Sequence, residues 1–380
     1  MADPEPRAVF ELEKSLGCRW EYLQNAEREA DQATQDLTHL LREVSKGLNF
    51  PPEDANLVVF GSLARKEWID WVSDLDWTYL IDGPARSPHF NTSQDIKSAL
   101  RSQFRLVDMR NEEGRKRKEY RFGDPGPTGT FGDMTFSHEL VHRIGGQDDT
   151  NRNTTQRILL LLESKPIGAK NAYDRVARTI IKRYLEEEPH LLTPDRSRFK
   201  VPRFLLNDIV RFWRTMAVDF AGKQRDRGGE GWGLRNTKLR MSRKLIFASG
   251  LLICFSCYLD TSLRAKISTA SRDIHLAHLE NHIWDYVTRT PLDILAAAVR
   301  EYQVENDIAA KLFFAYDQFI AMMSDKQIRE YLKQLKAEES RKDEIFSRVQ
   351  SISRDFEEAL HNIFFNNKTL APLTQKYGVF

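Results

Sequence analysis

Two aspartates and a Gly-Ser pair are the residues of this chain whose types and spacing indicate chemistry. The pair, Gly61-Ser62, follows a short apolar run, 57–60, that is typical of a buried strand. After eleven intervening residues come Asp74 and Asp76, at the start of a second strand-like run, 75–81. Because side chains alternate along a strand, both aspartates are expected on one face. Two carboxylates beside a small loop can hold Mg²⁺ against a triphosphate, since Mg²⁺ prefers hard oxygen ligands.

The spacing Gly-Ser, eleven residues, Asp-x-Asp resembles the signature of the DNA polymerase β-like nucleotidyltransferase superfamily. The resemblance implies that the Gly-Ser loop meets the phosphates of an NTP and that the aspartate pair binds two metals. It also implies a third carboxylate on a later strand. A surface turn is the other interpretation of so short a pattern, but the strand–loop–strand context favours the nucleotidyltransferase.

Two aspartates compete for the third carboxylate, Asp133 in the strand-like run 130–136 and Asp108 in the run 104–108. The segments after Asp133 favour it. Asp148-Asp149-Thr150 and Leu161-Leu162-Glu163-Ser164 are similar to motifs of the bacterial PII-uridylyltransferase and its relatives of unknown function.

This closer resemblance covers about residues 55–245 and weakens toward its end. Lys165 stands where that family tends to have Arg, and the segment 231–235 (Gly-Trp-Gly-Leu-Arg) is only similar to its Gly-Gly-Leu-Arg element. The chain has no His-Asp dipeptide, and its C-terminal part has helical periodicity. The family's HD and ACT domains, its reverse reaction and its amino-acid sensing are therefore not expected.

The resemblance implies a role for each residue of the motif. Asp74 and Asp76 would hold both metals, and Asp133 would bind the catalytic metal and polarise the attacking hydroxyl. Gly61 would allow close backbone approach, and Ser62 would donate to the β- and γ-phosphates. The expected cofactor is Mg²⁺, with Mn²⁺ as the alternative.

Basic residues provide further candidate contacts to the nucleotide. Arg65 lies just beyond the Gly-Ser loop and is expected to touch the triphosphate or to form a salt bridge with Glu67 or Asp70. Superfamily members commonly use a basic helix of the second domain, and the matching residues here are Lys238, Arg240 and Arg243. A cationic, solvent-facing helix is the alternative interpretation of these three residues.

A second metal pattern lies directly after the Asp133 strand. His138-Glu139-Leu140-Val141-His142 matches the HExxH pattern of zinc peptidases, and Glu163 falls at a spacing suitable for a third ligand. A short structural helix that ends before Gly145-Gly146 is the alternative, and we favour it because the pattern lies within the scaffold of the other site.

Composition sets the class of protein. The chain has 380 residues, of which 41% are hydrophobic, enough for two domains with a core. The net charge of +2 argues against a molecule that binds nucleic acid over its whole surface. The stretch 196–244 is nevertheless basic, with fourteen Lys/Arg against four Asp/Glu. It would suit a triphosphate, RNA or an acidic protein, or form a solvated helical face.

We expect an α/β nucleotidyltransferase core, a small mixed sheet with flanking helices, followed by an all-helical C-terminal domain. The expected divisions are a helical N-terminal arm, 1–50, the core, 51–165, and the helical domain, 166–380. One helical segment is expected over 7–47, a loop over 222–233 and a long helix over 325–364. The three cysteines and the lack of a signal peptide indicate the cytoplasm. The apolar run 245–259 is too short for a membrane span, so a buried helix is expected and no membrane partner.

The expected function is transfer of a nucleoside monophosphate from an NTP to a hydroxyl acceptor. A protein side chain is the preferred acceptor, because the closest resemblance is to an enzyme that modifies a protein tyrosine. The alternatives within this chemistry are a nucleotide, which would give a second messenger, and an RNA end. A non-catalytic nucleotide-sensing protein is the alternative of another class, and a zinc peptidase is a more distant one.

Overall fold

The chain forms two compact units, seen in a computed structural model that describes residues 7–44, 53–110, 116–123, 131–188, 201–226, 229–269 and 272–378. The sheet unit is Asn25–Arg183, and the helical unit combines Met1–Gln24 with Tyr184–Phe380. These bounds differ from the expected divisions after residues 50 and 165, because the start of the N-terminal arm belongs to the helical unit. The fold is mostly helical around one small mixed sheet.

The described strands form two separate sheets within the sheet unit. Four strands, in the spatial order β5-β2-β1-β6, form the mixed sheet. In it β1 is antiparallel to β2 and β6, whereas β2 and β5 are parallel. The other two, β3 and β4, pair as an antiparallel hairpin. The strands are β1 Ala55–Phe60, β2 Asp76–Ile81, β3 Phe104–Arg110, β4 Lys116–Tyr120, β5 Asp133–Phe136 and β6 Ser164–Ile167.

Strand β6 was not anticipated, since the expected helical domain begins at residue 166, within this strand. Val58 of β1 pairs with Pro166 of β6. Proline lacks an N–H group and is therefore confined to edge strands within sheets. Because β6 is the last strand of the sheet, its outer side needs no ladder hydrogen bond at this position.

The core of the sheet unit lies on one face of the sheet. Leu57 and Val59 of β1 share this face with Trp77 and Tyr79 of β2, and all four are buried. Small and branched residues of the flanking helices pack on them: Ala30, Ala33, Leu37, Ile96 and Leu100. Alternation then places Asp76 and Thr78 on the opposite face. The helices of this unit are α2 Glu21–Val44, α3 Gly61–Ala64, α4 Ser87–Ser102, α5 Ser137–Val141, α6 Asn151–Leu162 and α7 Asn171–Glu186.

The helical unit begins with α1, Ala8–Leu16, so the expected single helix over 7–47 is interrupted. Gly17 adopts φ +65°, and the backbone N–H groups after the helix bond back to the carbonyls of Glu13 and Lys14. This left-handed cap ends the helix, and glycine adopts it without steric cost. The end expected at Gly47 lies outside the described residues.

Two of the segments expected in the helical domain differ in the structure. The helix over 203–226 continues past Gly222, where a loop was expected. The expected long helix over 325–364 is divided, because Asp343 caps a new helix through the N–H of Phe346. The helices are α8 Arg203–Asp226, α9 Trp232–Lys238, α10 Lys244–Leu259, α11 Thr261–Thr269, α12 Arg272–Val287, α13 Pro291–Glu301, α14 Asn306–Ser324, α15 Lys326–Gln334, α16 Glu344–His361 and α17 Ala371–Leu373.

The most apolar helix, α10, is buried along most of its length, as the sequence predicts for 245–259. Together with α9 and the π-helical turn between them it forms a stretch, Trp232–Leu259, that meets the length and hydropathy of a membrane span. Of its apolar window, 72% is buried inside the folded chain, which is the behaviour of a core helix. Over the described ranges, no other helix meets both criteria.

Candidate active site

The Gly-Ser pair begins the one-turn helix α3 at the end of β1, beside the start of β2. Gly61 adopts φ +68°, and a Cβ atom on it would stand 3.1 Å from Oδ2 of Asp76. The register agrees, since Phe60 of β1 pairs with Asp76 of β2. Any side chain at position 61 would therefore strain the backbone and press on the carboxylate, so the structure supplies a physical reason for glycine here.

Asp133 begins β5, the strand parallel to β2, and Thr78 is its partner in the register. Asp76 lies two residues before Thr78 and on the same face, which places the Cα atoms of Asp76 and Asp133 roughly 8 Å apart. The Thr78 hydroxyl links the two strands by donating to the Asp133 carbonyl oxygen at 2.7 Å. The competing Asp108 lies in the separate β3–β4 hairpin.

The Asp133 carboxylate is 69% exposed and has two close donors. The backbone N–H of Met134 donates to its Oδ1 at 2.9 Å, and the Lys97 ammonium of α4 lies 3.5 Å from the same oxygen. An exposed carboxylate next to one ammonium group can bind a cation or accept a proton from a substrate hydroxyl.

Asp74 lies outside β2 and is exposed. Its backbone forms an isolated parallel bridge with Gly123, and a Cβ on Gly123 would stand 3.4 Å from Oδ1 of Asp74. Asp76 thus lies against Gly61 at the start of β2, whereas Asp74 lies against Gly123 outside the strand.

The three aspartates do not form a preformed metal cage. Within the described ranges, no three His, Cys, Asp or Glu side chains are gathered closely enough to hold a metal ion. Mg²⁺ commonly needs only one or two carboxylates, with substrate phosphates and water completing its coordination. The donor set here, carboxylate oxygens around a glycine cradle at Asp76, fits Mg²⁺ or Mn²⁺ bound together with a phosphate substrate.

Arg65 is buried in an ion-pair network, which corresponds to the salt-bridge alternative that the sequence offered. Its Nε donates to Glu67 at 2.8 Å, and its Nη1 donates to Glu163 at the end of α6. Asp70, the other expected partner, instead accepts from Arg121 at 2.8 Å. The guanidinium thus ties the segment after the Gly-Ser loop to α6, and this buried pairing gives it a positioning role.

The ion-pair network of Arg65 also includes Glu163, which the zinc pattern would need as its third ligand. His138 and His142 lie at the two ends of the short helix α5, with ring centroids 5.1 Å apart. Glu163, which the spacing offered as a third ligand, is 3% exposed and holds Arg65. These contacts fit the short structural helix better than a zinc site.

The motif that follows Asp133 has structural contacts. Asp149 receives two hydrogen bonds from Arg157, at 3.1 and 2.8 Å, and the Arg157 side chain is fully buried. Thr150 caps α6 by accepting from the Asn153 N–H. The resemblance seen at Asp148-Asp149-Thr150 therefore lies in residues that fix the segment before α6 and cap the start of this helix.

No protein-family model matches the chain, and no curated protein matches it. The functional assignment therefore depends on the geometry of the site itself.

The three basic residues expected to reach the nucleotide, Lys238, Arg240 and Arg243, lie in the helical unit. Lys238 ends α9, and the other two lie in the π-helical turn Leu239–Arg243. The Nε of Arg240 donates to Asn236 at 2.7 Å. Nucleotide binding by these residues stays a prediction, and residues 196–200 and 227–228 of the basic stretch lie outside the described residues.

A cavity of about 320 Å³ adjoins the aspartates and was not anticipated from the sequence. Gly123 and Gly132, next to Asp74 and Asp133, form part of its wall. The only sign of this cavity in the sequence was the spacing of Lys97 and Arg101, which are four residues apart on one helix and therefore share a face. Its side-chain lining consists of Trp77, Leu100, Phe122, Phe131, Lys97 and Arg101.

Proposed function

We propose that this protein is a metal-dependent nucleotidyltransferase that moves a nucleoside monophosphate from an NTP to a hydroxyl group. The observation that carries the proposal is the contact between Gly61 and Asp76. It brings a small loop at the end of β1 so close to a carboxylate on the neighbouring strand that a Cβ atom on Gly61 would stand 3.1 Å from Asp76 Oδ2. Asp133, at the start of the next strand, would supply the third carboxylate.

Each residue has a defined task in the proposed reaction. Asp74 and Asp76 would hold the metal ion, which when bound neutralises charge on the triphosphate. Gly61 and Ser62 would accommodate the phosphates, because glycine permits close approach and the serine hydroxyl can donate a hydrogen bond. Asp133 would orient the attacking hydroxyl and accept its proton on a carboxylate oxygen.

The bonds in this reaction balance without a further reactant. The acceptor oxygen forms a bond to the α-phosphorus, and the bond from the α-phosphorus to the bridging oxygen breaks. Pyrophosphate leaves with that electron pair, and the hydroxyl proton passes to Asp133. Positioning and charge neutralisation supply most of the catalysis in phosphoryl transfer, so a site of carboxylates and a small loop is sufficient.

Pyrophosphate release tests the proposal. Wild-type protein with Mg²⁺, each NTP in turn and a cell extract as acceptor source should release pyrophosphate, whereas Asp76→Asn should lose at least about 100-fold of this rate. Asp95→Asn is the matched control, because Asp95 is exposed in the same unit and lies on α4. Equal rates for wild type and Asp76→Asn would refute the site, and NTP binding without turnover would support the nucleotide-sensing alternative.

A further inference from the structure

The cavity beside Asp133 combines aromatic walls with two cationic side chains. Trp77 and Phe122 border the recess from the hydrophobic core, and each is only 3% exposed. Phe131 is half-buried and lies against Phe60, with ring centroids 4.9 Å apart. A partly exposed aromatic ring such as Phe131 can stack with a nucleobase, and this stacking tolerates any base.

The positive charge of the cavity comes from one helix face. Lys97 and Arg101 are one turn apart on α4, and both line the recess. The Lys97 ammonium lies 3.5 Å from Asp133, so the cavity is joined to the proposed catalytic carboxylate through this ion pair. No acidic residue is among the lining residues in the described part of the chain.

Size and chemistry together define the class of occupant. The volume of about 320 Å³ lies at the lower end of small-molecule sites, which suits one planar group with its substituents. The Phe131 ring favours a base, and the two cations favour a phosphate. An extended peptide would instead need backbone partners along a strand edge or a groove.

We propose that this cavity binds the acceptor of the reaction and that the acceptor is a nucleotide, either free or at the end of an RNA chain. The base lies on the Phe131 ring, its phosphate faces Lys97 and Arg101, and its ribose hydroxyl is directed to Asp133. This inference rests on the proposed function for its chemistry, and it replaces the protein side chain as the preferred acceptor.

Binding in the absence of metal separates this inference from the proposed reaction. Nucleoside 5′-monophosphates, a short oligoribonucleotide and inorganic phosphate are each measured by equilibrium dialysis with the full chain in EDTA. Arg101→Glu should weaken binding of the nucleotides at least about tenfold, because it reverses the charge facing the phosphate. Lys170→Glu is the matched control, since Lys170 is exposed in the same unit, does not line the cavity and should leave binding unchanged.

A second variant tests whether the cavity binds the base of the nucleotide. Phe131→Ala should weaken binding of the nucleotides by about tenfold or more and leave that of inorganic phosphate unchanged. Asp76→Asn should abolish transfer but keep nucleotide binding in EDTA. Tighter binding of the monophosphates supports a free nucleotide as acceptor, and tighter binding of the oligoribonucleotide supports an RNA end.

Two results would overturn the inference. One is nucleotide binding that is absent or equal in wild type and Arg101→Glu, with both proteins folded by circular dichroism. The other is transfer of label to protein alone when nucleotides and RNA are also present. If nucleotides bind as expected but no NTP is turned over, the proposed function fails and the acceptor role fails with it, while the cavity remains a nucleotide site.

Discussion

At the scale of single residues, the site depends on its glycines as well as on its carboxylates. Gly61 lies at positive φ against Asp76, and Gly123 lies against Asp74. A Cβ on Gly61 would press on its carboxylate at 3.1 Å, whereas a Cβ on Gly123 would make an ordinary contact at 3.4 Å. The Arg65 network, with Glu67 and Glu163 buried around the guanidinium, then holds the segment behind the loop.

Substitution of Gly61 by alanine should separate catalytic positioning from stability. The Cβ would stand 3.1 Å from Asp76 Oδ2, so the carboxylate must shift, and transfer should fall by about 100-fold. Gly145→Ala is the control, because Gly145 has φ +70° with nothing within 4 Å of the added Cβ. Both variants should lose roughly 1–2 kcal/mol of unfolding free energy from the strained backbone.

The measurements are the transfer rate and the thermal unfolding of both variants. An equal transfer rate in Gly61→Ala and Gly145→Ala would show that the contact with Asp76 has no catalytic role.

The residues of the motif could be predicted from the sequence, and their surroundings could not. Strand alternation predicted that Asp74 and Asp76 share a face, and the resemblance implied Asp133 on a later strand. That strand, β5, pairs with the strand of Asp76, whereas Asp74 lies outside β2. The cavity was missed because Trp77, Phe122 and Phe131 come from three distant segments that only the folded chain brings together. The pairing of Arg65 was one of two open alternatives, since burial decides between a salt bridge and a phosphate contact.

At the scale of elements, the packing of Gly233 explains the segment 231–235, which is similar to a Gly-Gly-Leu-Arg element of the uridylyltransferase family. Gly233 of α9 packs against the end of α15, where a Cβ would stand 2.7 Å from the carbonyl oxygen of Leu332. The N–H of Gly233 also donates to the carbonyl of Leu335 at 3.2 Å. The segment 231–235 therefore serves helix packing within this unit.

Two glycine substitutions should change stability in opposite directions. Gly233→Ala must displace backbone atoms, and we expect a loss of about 1–3 kcal/mol. Gly222→Ala lies within α8 with open space around the new Cβ, and we expect a gain of about 1 kcal/mol from helix propensity. Chemical denaturation of both variants checks this, and a stabilised Gly233→Ala would contradict the packing described.

A buried carboxyl at the junction of α1 and α2 should make stability depend on pH. Burial raises the pKa of Asp317 in α14 to about 6, and its Oδ1 accepts the Leu23 N–H at 2.9 Å. Because the pKa is higher in the folded chain, stability from this group is complete below about pH 4 and is lost as pH rises through about 6. Ionisation should cost up to about 3 kcal/mol, given roughly 1.4 kcal/mol for each pKa unit.

Asp317→Asn should flatten this decline between about pH 4 and pH 7, since the amide oxygen can still accept the N–H and cannot ionise. Asp307→Asn, exposed on the same helix, is the control and should keep the wild-type decline. Thermal unfolding across this pH range is the measurement. An unchanged decline in Asp317→Asn would mean that another group is responsible.

At the scale of the whole molecule, the chain has a sheet unit that carries Asp74, Asp76 and Asp133. It also has a helical unit that carries the basic residues Lys238, Arg240 and Arg243. The helical content was readable from periodicity, whereas the break at Gly17 and the strand β6 were not. A four-residue edge strand with a proline gives almost no periodic signal, and a single glycine can end a helix or lie within one. The units divide at residues 24 and 183, inside α2 and α7, and no composition change marks these positions.

Following the α- and γ-phosphates of the NTP separately tests the central claim, nucleotidyl transfer, most directly. Full-length protein is incubated with Mg²⁺, a nucleotide acceptor and NTP labelled at either the α- or the γ-phosphate. We predict that the α-label becomes bound to the acceptor, that the γ-label leaves as pyrophosphate, and that Asp76→Asn does neither. Release of the γ-label as inorganic phosphate alone, or equal α-label transfer by Asp76→Asn, would contradict the account.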